Sequence, residues 1–76
     1  MAIRNDLFVP IPSSSLPDFV RGKKFIARVP LDWKLQLDDF VGWRCDSRTG
    51  RAQVVGCGTE GNKLVCTLQK VSEWGE

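Results

Sequence analysis

The chain has 76 residues, 42% of them hydrophobic, with 11 basic and 9 acidic side chains and no histidine. That length accommodates one small domain, and no apolar run approaches the roughly 20 residues needed to span a bilayer. A formal charge of +2 is too mild to demand a nucleic-acid partner, and without histidine the commonest general base and zinc ligand is missing.

The charge is uneven along the chain. Residues 1–30 carry five basic and two acidic side chains, and residues 31–76 carry six and seven. Three cysteines cannot all pair within one chain, and they show no Cys-x-x-Cys spacing. Small secreted scaffolds use denser, even sets, so a reduced, cytoplasmic setting is expected, with no metal and no cofactor. A domain this small buries only about 60% of its unfolded surface, so association with a second copy is a natural supplement to its core.

Residues 1–20 hold Pro10, Pro12, Pro17 and the run Ser13-Ser14-Ser15. Prolines so closely spaced oppose a helix and a central strand, so an extended N-terminal arm is expected ahead of a barrel domain at 21–76. Leu7, Phe8, Val9, Ile11, Leu16 and Phe19 are too many apolar groups for a solvated tail. The arm therefore reads as a strap on its own barrel, on a second copy or on a protein partner. Leu7, Phe8, Ile11 and Phe19, with Trp33 further on, are the candidate partner contacts.

Arg21-Gly22-Lys23-Lys24 leads into Phe25, Ala27 and Val29, which alternate as in a strand that Pro30 ends. Such a basic cluster either contacts phosphates or guards a sheet edge. Leu31, Trp33, Leu35 and Leu37 alternate too, which predicts a further strand, while Trp33, Leu37, Phe40 and Val41 also satisfy a helical spacing. The strand reading makes Asp38-Asp39 a turn.

From Val41 to Leu68 the pattern is a three-stranded meander. Val41, Trp43 and Cys45, then Ala52, Val54 and Gly56, then Leu64, Cys66 and Leu68 form one apolar face. Loops at Asp46–Gly50 and Gly58–Asn62 give a register in which Trp43 faces Val54 and Val54 faces Cys66. A slip of one residue would carry Arg44 or Thr67 into that face. Five short strands then make a mainly β fold, a small antiparallel SH3-like or OB-like barrel. Val71 and Trp74 follow the last strand and either cap the barrel or fray.

No catalytic set emerges. Gly56-Cys57-Gly58-Thr59-Glu60-Gly61 matches G-x-G-x-x-G, but a strand pattern follows it where a dinucleotide site needs a helix. Asp38 and Asp39 are neighbours that a turn explains, and no serine lies in a nucleophile elbow. Cys57, between two glycines with Lys63 as its expected cross-strand neighbour, is the most accessible-looking thiol. Functional weight falls on Arg44 and Arg51, which point outward with Gln53, and on Arg48 in the adjoining loop. With Arg21, Lys23, Lys24 and Arg28 they form one basic surface if the strands close, and small barrels bind DNA or RNA through such faces.

Phe40-Val41-Gly42-Trp43-Arg44-Cys45 resembles the Ile-Val-Gly-Trp-Tyr-Cys stretch of the plasmid-borne type II dihydrofolate reductases. The resemblance implies an SH3-like barrel with a flexible leader, assembled as a tetramer around a shared pore. That family's Val-Gln-Ile-Tyr pore motif is replaced here by Leu64-Val65-Cys66-Thr67-Leu68, and its Lys-Lys-Ser-Gly segment is missing, so no active-site residue carries over. The expected function is a non-catalytic binding module for nucleic acid, with a protein-binding adaptor or an oligomeric barrel as alternatives.

Overall fold

A computed structural model describes residues 3–74. Five strands, β1 (Ile3–Pro10), β2 (Phe25–Pro30), β3 (Phe40–Cys45), β4 (Arg48–Glu60) and β5 (Lys63–Trp74), form one sheet in the order β1-β3-β4-β5-β2. A short helix α1 (Leu16–Val20) follows β1, and a 3-10 turn (Leu31–Trp33) follows β2.

The fold is mainly β, but it departs from an antiparallel barrel in two ways. The sheet is open, with β1 and β2 as its two edges. It is also mixed, because β1 runs parallel to β3. Parallel neighbours need a long crossover, and residues 11–39 supply it through α1, the far edge strand β2 and the 3-10 turn.

The N-terminal segment is not a free arm. Prolines at positions 10, 12 and 17 are compatible with an edge strand, a loop and the first turn of a helix, where no ladder or helix N–H is lost. Val9, Ile11, Leu16 and Phe19 then enter the same core as Ala27, Val41, Trp43, Val54 and Leu68. One core thus draws on residues from both sides of position 20. A five-residue helix is marginal alone; packing of its Leu16 and Phe19 against the sheet holds α1 in place.

Residues 31–39 form no strand. Pro30 opens the 3-10 turn, and Lys34 and Asp38 adopt left-handed backbone (φ 53° and 71°), which breaks the extended run. The alternation of leucines is resolved unevenly: Leu35 is buried, whereas Leu31 and Leu37 are exposed. Arg4 donates from Nη1 to the Trp33 carbonyl at 2.9 Å, tying the turn to β1.

The meander lies where its pattern places it, in a different register. The first turn is only Asp46-Ser47, so Trp43 faces Gly50 and Val41 faces Ala52. Sliding β4 by four residues keeps Ala52 and Val54 inward, since side chains alternate with period 2, but Gly56, expected on the same face, lies beyond the bulge at Val55 and pairs with outward-facing Thr67. The second turn is Gly61-Asn62, with Gly61 at φ 60°, as a two-residue hairpin led by glycine requires. The G-x-G-x-x-G run is therefore the end of β4 plus this turn.

Two bulges reset the alternation within the β4–β5 hairpin. Val55 is the extra residue on β4, so Val54 and Cys57 both turn inward. Val71 is the extra residue on β5, so Leu68 points inward but Ser72 and Trp74 point outward. Cys57 consequently faces Cys66, and Lys63 faces Glu60.

Phe19 is 1% exposed and meets Trp43 edge-on at 5.4 Å and Phe25 at 6.3 Å. Phe19→Ala is expected to lower the unfolding free energy by about 3–5 kcal/mol in urea denaturation. A loss under about 1 kcal/mol, the scale of an ordinary surface change, would mean that residues 11–20 do not complete the core.

Candidate nucleic-acid interface

The outer face of the sheet, opposite α1, carries the most distinctive cluster. Alternation along β3 puts Gly42 and Arg44 outward, and pairing puts Arg51 beside Gly42 and Thr49 beside Arg44. Ser72 and Trp74 complete these two rows on β5, and Phe8 and Pro10 on β1. One contiguous patch thus crosses four strands.

Its geometry is built on Gly42. A Cβ there would lie 2.6 Å from the Phe8 ring, so the phenyl group rests directly on the glycine backbone. Trp74 meets Phe8 edge-on at 6.3 Å. The Arg44 guanidinium lies 5.6 Å from the Phe8 centroid, and that of Arg51 lies 5.2 Å from the Trp74 ring. Arg51 also donates to Asn5 Oδ1 at 3.2 Å. Each cation–ring contact is worth about 0.5–1 kcal/mol at such exposed sites, enough to orient two guanidinium planes. Arg44 and Trp74 are exposed, whereas Phe8 is half-buried. The described residues enclose no pocket.

The other predicted basic residues are distributed differently. Arg48 lies at the inner-face end of the sheet, where it donates twice to Glu73 at 2.7 Å, away from Arg44 and Arg51. Arg28 is on β2, with β5 and β4 between it and β3, and pairs with Glu60 at 2.9 Å. Lys23 lies 4.0 Å from Asp18. Arg21, Lys23 and Lys24 are exposed around the exit of α1. Gln69, on the outer face beside Gln53, donates to the Gly22 carbonyl at 3.1 Å and so brings that segment to the sheet.

The predicted partner contacts divide as well. Ile11 and Phe19 are buried in the core; Leu7 and Trp33 are partly buried against it, and only Phe8 belongs to the outer patch. Trp74 is the residue that sequence patterning left unplaced. Its orientation depends on the bulge at Val71, which leaves no simple periodic signal.

A second constellation lies on the inner side. Cys57 donates its S–H to the Leu35 carbonyl at 3.2 Å, and its sulfur is 3.8 Å from that of Cys66. Burial pushes the Cys66 thiol from 9.0 up to about 12; hydrogen bonding with Cys57 and the negative charges of Cys57 and Asp39 push the same way. Asp38 and Asp39 make no acid–base pair: buried Asp39 accepts from the Gln36 N–H at 2.9 Å, and exposed Asp38 accepts from Gln53. Among the described residues no three Cys, Asp or Glu side chains converge on a metal position, and no helix is long and apolar enough to cross a membrane. The chain matches no protein-family model, no curated protein and no solved structure.

Gly42→Ala is expected to displace the Phe8 ring and cost about 1–3 kcal/mol, the range of overpacking. In a Phe8→Ala background the cost should shrink, and a double-mutant denaturation cycle reads the difference. Equal costs in both backgrounds would show that the ring does not rest on Gly42.

The raised Cys66 thiol sets a pH dependence. Above pH 9.0 the unfolded thiol loses its proton while the native one keeps it to about 12, so the native state binds more protons and stability falls across that window. With reductant present, Cys66→Ala should flatten this part of the denaturation-against-pH curve. An unchanged slope would contradict the assignment.

Proposed function

We propose that this chain is a non-catalytic nucleic-acid-binding module that holds single strands on its outer sheet face, as small SH3-like and OB-like barrels use theirs. The observation that carries the reading is the Phe8–Trp74 pair with Arg44 and Arg51 over its rings. Sequence-tolerant strand binding needs π-faces for bases and guanidinium groups for phosphates on one surface, and stacking contributes about 1–3 kcal/mol per base. Trp74 offers the exposed platform, Phe8 forms the floor, and Arg44 and Arg51 flank them. Gln53 and Gln69 continue the polar surface toward Arg21, Lys23 and Lys24, which gives a strand a path across the sheet. An open sheet serves this purpose as well as a closed one, because only one face is used. The alternative of a protein-binding adaptor draws on fewer accessible groups, with Ile11 and Phe19 committed to the core.

Tryptophan fluorescence titration with a single-stranded oligonucleotide tests the reading. Binding should weaken steeply with salt. Trp74→Ala should cost about 1–3 kcal/mol of affinity, and Arg51→Ala should reduce the log–log salt slope by about 1. Absence of binding at about 50 mM salt would overturn the proposal.

A further inference from the structure

Cys57 and Cys66 are direct partners across the antiparallel β4–β5 ladder, with their sulfurs 3.8 Å apart. Residues opposed in such a ladder have Cα atoms about 4.5–5.5 Å apart, inside the window of roughly 4.4–6.8 Å that a disulfide spans. The two differ in access: Cys57 is exposed, and Cys66 is 0% exposed. The bulge at Val55 is what turns Cys57 to the side of Cys66.

We propose that Cys57 and Cys66 are a thiol-modification site that closes to a reversible cross-strand disulfide, with a low-molecular-weight disulfide of the glutathione type as oxidant. Cys57, as thiolate, attacks one sulfur of the oxidant. A bond forms between Cys57 and that half, the oxidant's S–S bond breaks, and the other half leaves as a thiolate. Cys66 gives up its proton and attacks the Cys57 sulfur, expelling the second half as a thiolate. The two departing thiolates take up the two protons lost by the cysteines. The protein loses two electrons and two protons, and the oxidant becomes two thiols. Access dictates the order: only Cys57 meets a solution oxidant, and only Cys66 is placed to resolve the mixed disulfide. The bond clips the far half of the hairpin, where residues 57–63 are exposed, and takes the Cys57 S–H from the Leu35 carbonyl. Exposed disulfides are the labile ones, and the Cys57 half of this bond faces solvent, so the site tracks the thiol poise around it.

The experiment equilibrates the full chain with glutathione disulfide, then counts free thiols and maps the bridged peptides by mass spectrometry. The thiol count should fall from three to one, with Cys45 left free, and dithiothreitol should restore all three. Cys57→Ser should retain both of its thiols under the same conditions. A persistent glutathione adduct on Cys57 with Cys66 free, a covalent dimer through Cys57, or an unchanged thiol count would each overturn the proposal.

Discussion

Trp43 is the joint of this structure. Its side chain is fully buried, its indole N–H donates to the Ser72 carbonyl at 3.1 Å, and its ring meets Phe19 edge-on. One residue of β3 therefore holds β5 through a hydrogen bond and α1 through a ring contact. Gly50 makes this possible, because a Cβ there would collide with the Trp43 indole and with the Ser72 carbonyl oxygen. A large ring can cross over β4 only where β4 has no side chain. A buried indole without an N–H partner would also carry the cost of an unmet donor.

The two hairpin bulges distribute the rest. A sheet whose strands alternated without interruption would keep all even positions of β4 and β5 on their original faces. The extra residues Val55 and Val71 break that rule in opposite halves of the hairpin. One turns a thiol toward its partner; the other turns an indole toward Phe8 and Arg51. Bulges also increase local twist, which suits strands of 13 and 12 residues in a sheet that stays open.

The two faces thereby acquire separate chemistry. Inside, Leu64, Cys66 and Leu68 complete a dry core, with the Cys57 sulfur at its margin. Outside, Gly42 and Phe8 form a low platform on which Trp74, Arg44 and Arg51 stand. Arg48 and Arg28 are held by Glu73 and Glu60, so the basic residues do not merge into one field. The outer face is better characterised by its pairing of rings with guanidinium groups than by net charge, in keeping with a chain of formal charge +2.

Within the meander, the sequence by itself determined most of the residues that turn away from water. Val41, Trp43, Cys45, Ala52, Val54, Leu64, Cys66 and Leu68 were legible as one inner face and are all buried, because strand alternation survives any even slip in register. Arg44 and Arg51 were legible as outward for the same reason. Local pattern cannot choose among even slips, so the turn at Asp46-Ser47 and the pairing of Trp43 with Gly50 were decided by the packing of that indole. Nor does local pattern reveal a parallel partner: Pro10, Pro12 and Pro17 read as an extended arm until β3 supplied an edge and the core supplied a place for Ile11 and Phe19. The candidate site divides in the same way. Its arginines follow from periodicity, whereas Phe8 over Gly42, Trp74 beyond a bulge and Cys57 opposite Cys66 exist only through contacts between distant parts of the chain.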